Sequence, residues 1–396
     1  MKKTIIYITK SLADKSGASV SSLDTLLALA TADIDLCVAS MKRTALPDTI
    51  NSHQVHQPKW VSLPRNAEFP LPGERFLYRL LRFLIFTPGD PVRKRILSAV
   101  KSDLVIANGY GTDPYVSDNE KYLHGKKLLI VRESPRHFSM ERNEQNSLHS
   151  AVRNISQYDY LVFVSDTCRR EWLDLIPVNA DNTFHIPNCC NEEAIPAITE
   201  LDRGTVRRRL QFPEKTYAAL CVGSIIARKG QDILIDIMPS LVKEFPGFQL
   251  YMIGHYNTSW GRELVSRAKT HPCKDRIHFL GHRDNALEYM YAADLLLLPS
   301  RAEALPRVLL EAGLLRTPVI ASDVDGNTEI VIDGETGFLF SPACPEKIIP
   351  LIRKLREDEE LRRKLTDNAH ARYWENFSRE QLIRRYNDLL QGIFSR

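Results

Sequence analysis

Two glutamates, Glu303 and Glu311, stand eight positions apart in a stretch that could bind an anion. They follow the apolar run 293–299, which is typical of a buried parallel strand, and lead into a segment with helical spacing. We therefore expect Glu303 in a strand-to-helix loop and Glu311 inside the helix, with Pro306 as an early helical residue. A helix N-terminus at the end of a parallel strand favours phosphate, and carboxylates accept hydrogen bonds from hydroxyl groups. A nucleotide-sugar, with phosphates between hydroxyl-rich sugars, fits this combination.

The loop 223–230, Gly-Ser-Ile-Ile-Ala-Arg-Lys-Gly, could supply the cations for such a ligand. Its glycines allow close backbone approach, and Arg228 with Lys229 can neutralise a diphosphate, although solvated surface charge is the alternative for both. The loop lacks the G-K-[ST] ending of a Walker motif, and the chain has no G-x-G-x-x-G run at this position. No cluster of His, Cys and Asp has the spacing of metal ligands, so we expect no metal cofactor.

Composition limits the class of protein. The chain has 396 residues, 43% of them hydrophobic and 26% charged, with a net charge of +4, which is typical of a globular protein of two or three domains without a nucleic-acid partner. The seven cysteines are scattered apart from Cys189-Cys190, which favours reduced thiols and a cytoplasmic protein. We interpret the short apolar run near the N-terminus as a first strand rather than a signal peptide, and we expect no membrane-spanning helix.

Strand and helix patterns alternate through both halves of the chain, which predicts two doubly wound, Rossmann-like α/β domains that face a central cleft. We place the domains at 1–195 and 196–377, and we expect a terminal helix in 378–396 that packs back on the first domain. Gly17, in the first predicted loop, could allow close approach of a ligand or belong to a plain turn.

The first domain offers three further candidate residues, Arg132, Glu133 and His137, just after a predicted strand. Strand ends in such a sheet face the ligand crevice, although an ordinary polar loop is the alternative.

Within the stretch 74–101, residues 75–101 include seven basic residues and one acidic residue, and Arg75, Arg79 and Arg82 would share one face of a helix. That face could be a solvated stripe on a packed helix or a surface that binds anionic lipid headgroups.

Four features together resemble the GT4 family of retaining GT-B glycosyltransferases: the Glu303/Glu311 pair, the run from Gly223 to Lys229-Gly230, Pro187-Asn188, and the segment 329–337 with its Asp-Gly-x-x-Gly ending. The resemblance implies that Glu303 contacts the transferred sugar near the reacting centre, that Glu311 binds the ribose hydroxyl groups, and that Lys229 binds the diphosphate. The catalytic residues would be Glu303, Lys229 and Arg228, and the donor site would comprise Gly17, Gly223, Ser224, Arg228, Lys229, Glu303, Ala304, Leu305 and Glu311. The acceptor side would be formed by Arg132, Glu133 and His137.

The sequence departs from the family at three places, one of them on the acceptor side, where Arg132-Glu133 occupy the place of the usual histidine and His137 is the nearest histidine. Ser224 stands where the family usually has arginine, and we interpret Arg228 as a substitute. Ala304-Leu305-Pro306 replaces the usual Gly-Phe-Gly, so backbone donors would be limited to Ala304 and Leu305.

The resemblance implies a metal-independent hexosyltransferase that moves a sugar from a nucleoside-diphosphate sugar to a hydroxyl group of a glycan or lipid-linked acceptor. We expect the 1–195 domain to hold the acceptor and the 196–377 domain to hold the donor, in cell-surface polysaccharide or lipopolysaccharide synthesis. The expected location is the cytoplasm, with peripheral contact at the inner face of the membrane. The alternatives are a nucleotide-sugar epimerase of the same architecture and a non-catalytic nucleotide-sugar-binding subunit. The sequence leaves the sugar and the base, uracil or guanine, open.

Overall fold

The computed structural model describes residues 2–10, 17–40, 59–62, 100–140 and 148–395. All but the last two positions of the basic stretch 74–101 lie outside these ranges, so its predicted helix and lipid-binding face stay predictions. The described ranges form two parallel sheets with helices packed around them, and this confirms the predicted fold class.

The first sheet has seven parallel strands within the described residues: β1 (Lys3–Thr9), β2 (Ile34–Ser40), β3 (Lys59–Ser62), β4 (Leu104–Asn108), β5 (Lys126–Val131), β6 (Tyr160–Phe163) and β7 (Thr183–His185). Their order is β3-β2-β1-β4-β5-β6-β7. The accompanying helices are α1 (Gly17–Ala30), α2 (Asp113–Asp118), α3 (Pro135–Ser139), α4 (Leu148–Ile155) and α5 (Asp166–Leu173), followed by α6 (Ile195–Thr199) and α7 (Arg203–Arg209). The strand order reverses direction next to β1, and ligands bind at such a point in doubly wound sheets.

The second sheet has six parallel strands: β8 (Tyr217–Val222), β9 (Phe248–Ile253), β10 (Ile277–Gly281), β11 (Leu295–Leu298), β12 (Val319–Ser322) and β13 (Phe338–Phe340). Their order is β10-β9-β8-β11-β12-β13. The helices are α8 (Gln231–Glu244), α9 (Ser259–Lys269), α10 (Ala286–Ala292), α11 (Arg307–Leu314), α12 (Asn327–Ile330), α13 (Ile348–Glu357), α14 (Glu359–Asn376) and α15 (Arg379–Ser395). Because β8 and β11 are neighbours, the loops that follow them lie side by side at one edge of the sheet.

The structure corrects two expected elements in the first domain. Helix α1 begins at Gly17, so Gly17 lies in the helix and not in the loop that the sequence predicts. Its first turns contain small polar residues that look like a loop in sequence, but Ser22 is buried and its hydroxyl donates to the Ala18 carbonyl at 2.9 Å. The segment 42–74 has several prolines and no clear period, which predicts irregular structure, but Lys59–Ser62 forms a strand beside β2.

The last helix, α15, lies against α1. Tyr386 in α15 is buried and hydrogen-bonds Thr25 in α1, and the Arg379 backbone N–H donates to Glu192 at 2.7 Å. These contacts join the end of the chain to the first domain and to the linker between the domains. The exact domain limits at 195 and 377 stay predictions.

Gly230 joins the 223–230 loop to α8. A substitution at this position tests how tightly the loop is packed. Its φ is 68°, and a Cβ there would lie 2.1 Å from the Pro299 carbonyl oxygen. We expect Gly230→Ala to lower the free energy of unfolding by about 3 kcal/mol or more, because a left-handed backbone and a backbone clash act together. Thermal or denaturant unfolding measures this loss.

Gly334 provides the matched control, since its φ is 73° but nothing lies within 4 Å of a Cβ at that position. Gly334→Ala should cost only the left-handed penalty, about 1–2 kcal/mol. Equal losses in the two variants would contradict the tight packing of the loop against β11.

Candidate active site

Glu303, Lys229 and Arg228 meet where the loops after β8 and β11 lie side by side. Glu303 Oε1 accepts hydrogen bonds from Lys229 Nζ at 2.5 Å and from Ser300 Oγ at 2.7 Å, and Oε2 accepts one from Arg228 Nη1 at 3.2 Å. The Glu303 side chain is only 7% exposed. The three residues that the sequence assigned to catalysis therefore form one cluster.

Charge in this cluster favours an anionic ligand. Burial alone would raise the pKa of the Glu303 carboxyl, but the charges of Lys229 and Arg228 and the hydrogen bonds from Lys229 and Ser300 together hold it below its ordinary value. One carboxylate thus faces two cations, and the cluster keeps a net positive charge. In the described part of the chain the buried Nε of Arg228 has no hydrogen-bond partner, so a donor is available for a phosphate oxygen.

The glycine at the start of the loop gives Lys229 its place. Gly223 has a φ of 149°, and Lys229 Cε lies 3.6 Å from the position that a Cβ on Gly223 would occupy. The Ser224 side chain is exposed, and its carbonyl accepts from Gln231 Nε2 at 3.0 Å. Arg228 and Lys229 bind the same carboxylate, that of Glu303. Arg228 therefore lies where an arginine that substitutes for the one missing at Ser224 would be needed.

The loop between β11 and α11 is packed against the next loop. The Gly326 N–H donates to the Glu303 carbonyl at 3.0 Å, and a Cβ on Gly326 would lie 1.6 Å from the Ala304 carbonyl oxygen. Leu305 is buried. The sequence predicts Pro306 as an early helical residue, but in the structure it is the N-cap residue of α11. The helix therefore begins one residue later, at Arg307, because Pro306 has an extended backbone.

Glu311 lies in α11, as expected, and the Glu303 carboxylate is bound by Lys229, Arg228 and Ser300 instead. Glu311 pairs with Arg307, whose Nε lies 3.9 Å from Glu311 Oε1, and Arg307 in turn pairs with Asp24 of α1 at 2.6 Å. Arg307 Cδ also lies 3.9 Å from the Cβ position of Gly17, so both domains meet here. Neither Arg307 nor Asp24 is among the residues predicted from the sequence. A cation in the first turn of a helix, where the dipole is unfavourable, is nevertheless a signal for a carboxylate nearby.

Arg132 is directed into the first domain. Its Nε donates to Asn108 Oδ1 at 2.9 Å and its Nη2 donates to Thr25 Oγ1 at 2.9 Å and to the Ser21 carbonyl at 3.3 Å, while Nη1 donates to Asn188. These bonds tie α1, β4 and β5 to the start of the linker. The geometry thus gives Arg132 a role in holding the strand ends together.

Glu133 is the predicted acceptor-side residue that faces the cleft. Oε2 accepts from the Arg132 backbone N–H at 3.1 Å, and Trp172 Nε1 donates to the Glu133 carbonyl at 2.9 Å. Burial raises the pKa of this carboxyl, while the positive charge of Arg228 in the other domain acts on it in the opposite direction. His137 lies one element further on, in α3, where its ring packs edge-on against Phe138.

Two acidic residues of the second domain bind the first domain across the cleft. Ser134 Oγ donates to Asp325 Oδ2 at 3.0 Å, and Arg136 Nε lies 3.1 Å from Asp325 Oδ1. Glu329 Oε2 accepts the backbone N–H groups of Asp166 at 2.8 Å and Thr167 at 3.3 Å. Glu329 therefore satisfies free N–H groups at the N-terminus of α5, a helix of the opposite domain. The structure shows a cleft whose two sides are in contact.

The Glu329 contact is expected to weaken in acid. Burial alone would raise the pKa of the Glu329 carboxyl, but His185, whose Nε2 lies 2.7 Å from Oε1, and the two backbone N–H groups hold it below its ordinary value. A carboxyl with a lowered folded-state pKa stabilises the fold above its unfolded pKa, and this contribution is lost as the pH falls through the folded value. We expect Glu329→Gln to cost about 1.5–3 kcal/mol at neutral pH.

The cost should shrink as the pH falls from the ordinary glutamate pKa through the lowered folded-state pKa, because the wild-type carboxyl then also becomes neutral. Unfolding of wild type and variant over a pH series measures it, and the exposed Glu335→Gln serves as control. A cost that does not change with pH would contradict a charge-dependent contact.

The described ranges contain neither a metal cluster nor a membrane-spanning helix. No group of three or more His, Cys, Asp or Glu side chains in them is placed to hold a metal ion. None of the helices in this part of the chain is long and apolar enough to span a membrane.

Comparisons with known proteins agree with this geometry. Residues 202–372 match the family model described as "Glycosyl transferases group 1". The chain is 25% identical over 275 residues to the N-acetyl-alpha-D-glucosaminyl L-malate synthase of Bacillus anthracis, covering 68% of this chain and 67% of that protein. It is 30% identical over 189 residues to a phosphatidyl-myo-inositol mannosyltransferase of Mycobacterium tuberculosis, covering 47% of this chain and 46% of that protein. The matches thus span between about half and two thirds of these relatives' length.

Among solved structures, HepE of Anabaena in complex with UDP-glucose has a TM-score of 0.77 to this chain. The sequence identity is 19%, and the match covers 98% of this chain and 99% of that one. At this identity the match shows the fold alone. The whole chain therefore has the GT-B fold, and its second domain matches the group 1 glycosyltransferases.

Proposed function

We propose that this chain is a retaining glycosyltransferase of the GT4 type, which transfers a hexose-type sugar from a nucleoside-diphosphate sugar to a hydroxyl group of a glycan or lipid-linked acceptor. The observation that carries the proposal is the cluster of Lys229, Arg228 and Glu303, in which two cations meet one buried carboxylate at the edge of the cleft. The names of the relatives support it, since one is an N-acetyl-alpha-D-glucosaminyl L-malate synthase and the other a mannosyltransferase, and HepE holds UDP-glucose. The mannosyltransferase also supports a lipid-linked acceptor.

The geometry suggests how the donor half would work. Lys229 and Arg228 would bind the diphosphate, and the unused Nε of Arg228 would donate to one of its oxygens. As the bond between the anomeric carbon and the phosphate oxygen breaks, negative charge grows on the leaving group, and fixed cations in a buried site stabilise that charge. We propose that these two side chains supply the charge stabilisation that a metal ion supplies in other transferases.

The acceptor hydroxyl would attack the anomeric carbon on the face that the diphosphate leaves. Its oxygen forms the new bond to carbon, and its proton passes to the departing phosphate oxygen, so the configuration is retained. Glu133 faces the cleft opposite Arg228 and would accept a hydrogen bond from the acceptor. Arg132 would support this edge from within the first domain, and His137 would lie further along the acceptor path.

Release of nucleoside diphosphate tests the activity. The chain is incubated with UDP- and GDP-sugars with and without a glycan or lipid-linked acceptor, and the product is analysed by NMR for its anomeric configuration. Acceptor-dependent release with retained configuration, unaffected by a chelator, is the expected result. Conversion of the donor to another nucleotide-sugar would identify an epimerase, and binding without turnover would identify a non-catalytic subunit.

We propose, from the sequence of 74–101 alone, that the protein contacts the inner face of the cell membrane from the cytoplasm. Basic residues near a surface are attracted to anionic lipid. Vesicles with anionic headgroups should sediment the wild type and release a variant in which Arg75, Arg79 and Arg82 are changed to glutamate. Equal sedimentation of both would remove the membrane contact from the proposal.

A further inference from the structure

Arg307 connects the two domains beneath Glu311. Its Nη1 donates to Asp24 Oδ2 at 2.6 Å and to the Cys189 carbonyl at 2.7 Å, with Ser21 Oγ at 3.4 Å. The Arg307 side chain is 10% exposed and that of Asp24 is 6% exposed, so this is a buried ion pair between domains. Removal of either partner from such a pair is costly, because the other partner is left as an uncompensated buried charge.

The opposite edge of the same guanidinium faces Glu311. Arg307 Nε lies 3.9 Å from Glu311 Oε1, which is an ion-pair distance but too long for a hydrogen bond. The two residues are four positions apart in α11, so they share one face of the helix. The charge of Arg307 therefore acts on the Glu311 carboxylate without a hydrogen bond between them. The carboxylate oxygen atoms keep their capacity to accept hydrogen bonds from another molecule.

The charge of Arg307 acts against the effect of burial on Glu311. The pKa of the Glu311 carboxyl lies above its ordinary value, because burial raises it more than the charge of Arg307 lowers it, and Asp24 adds to the rise. The side chain is 24% exposed, so it is reachable from the cleft. A buried carboxyl without its cation would take up a proton more readily and accept hydrogen bonds less well.

We propose that Arg307 is a positioning residue for ribose recognition. It holds Glu311 charged and aimed at the ribose hydroxyl groups, and Asp24 of the opposite domain fixes Arg307 in that place. Recognition of the ribose is thereby coupled to contact between the domains. This inference rests on the proposed function, since it takes the ligand to be a nucleoside-diphosphate sugar that Glu311 contacts through its ribose.

The ratio of binding constants for ribose and deoxyribose nucleotides tests the coupling. The full chain is titrated calorimetrically with UDP, GDP and their 2′-deoxy and 3′-deoxy forms. The wild type should prefer the ribose form by about tenfold or more, because an absent hydroxyl leaves a charged acceptor without a partner. Arg307→Met should reduce this preference to about one, and Asp24→Asn should reduce it partly.

A purely structural role for Arg307 predicts a different pattern. Both nucleotide forms would then bind more weakly by the same factor, and the ratio would not change. That result in Arg307→Met would overturn the inference. Arg307→Lys keeps the charge and should recover part of the ratio of binding constants. If Arg307→Met does not fold, the same ratio measured in Arg307→Lys and Asp24→Asn provides the test.

Arg136→Met is the matched control. Arg136 also pairs across the cleft, with Asp325 at 3.1 Å, but Arg307 and not Arg136 is the cation at Glu311. The control should retain the wild-type ratio. A wild type that binds ribose and deoxyribose nucleotides equally would overturn this inference alone, whereas a wild type that binds no nucleotide would overturn the proposed function as well.

Discussion

Replacement of Lys229 by alanine is expected to lower kcat/KM for the donor by about 10²–10³-fold, the usual effect of removing one fixed positive donor at a developing negative charge. Lys229 Nζ contacts Glu303 directly and its stem packs beside Gly223, so the charge is held in one place before the donor binds. We expect kcat to fall and KM to rise, because the diphosphate carries charge before the reaction and gains more during it.

Steady-state release of nucleoside diphosphate over a range of donor concentrations measures this effect. Lys229→Arg keeps the charge and should recover part of the activity, though the planar guanidinium does not reproduce the geometry of the ammonium group. Arg353→Ala removes a cation from a surface pair with Glu244 and should change kcat/KM by less than about twofold. A Lys229→Ala variant within about tenfold of wild type would refute the assignment of the diphosphate site.

The donor half could be predicted because parallel sheets bring their loops together. The loops after β8 and β11 are about 70 residues apart in sequence, yet these strands are neighbours in the sheet. Alternating apolar runs predicted the strands, and glycine, proline and charge marked the loops between them. Glu303, Arg228 and Lys229 could therefore be assigned to one edge without knowing any distance.

The contacts between the domains could not be predicted in this way. Asp24 and Arg307 are 283 positions apart, and no periodicity in either segment indicates that one side chain faces the other. Nor does the sequence show which way Arg132 points, since an arginine at a strand end can reach into the cleft or back into its own domain. These features depend on how the two domains meet, and that arrangement is decided by packing over the whole interface.

The first helix shows a different limit. Its N-terminal turns contain Ser19, Ser21 and Ser22, which in sequence are typical of a loop. All three are buried in the structure. The Ser22 hydroxyl accepts from Thr9 and Asn108 in the first sheet, and Arg307 of the second domain lies 3.4 Å from the Ser21 hydroxyl. Contacts with residues distant in the chain override the local preference.

Glu303→Gln is expected to separate binding from turnover. The Glu303 carboxylate occupies both Lys229 and Arg228 in this structure, so an incoming diphosphate must compete with it for the same two cations. Glutamine has nearly the same shape and keeps a carbonyl acceptor, but it lacks the negative charge. We therefore expect nucleoside diphosphate to bind Glu303→Gln as tightly as the wild type or more tightly, by up to about tenfold.

Turnover should change in the opposite direction. A positively charged, oxocarbenium-like sugar forms as the donor bond breaks, and the Glu303 carboxylate is the negative charge nearest to the two donor-binding cations. Since its pKa is held below the ordinary value, the carboxylate is ionised throughout the neutral range and can stabilise that positive charge. Loss of the charge should lower kcat by about 10²-fold or more.

The comparison of these two quantities decides the role of Glu303. Calorimetric titration with nucleoside diphosphate gives the affinity, and product release at saturating donor gives kcat. Glu303→Asp keeps the charge but withdraws it by one methylene group, so its kcat should lie between those of wild type and Glu303→Gln. If affinity and kcat instead fell together in Glu303→Gln, the carboxylate would be needed to build the diphosphate site and not to stabilise the transferred sugar, because a removed competitor cannot weaken binding.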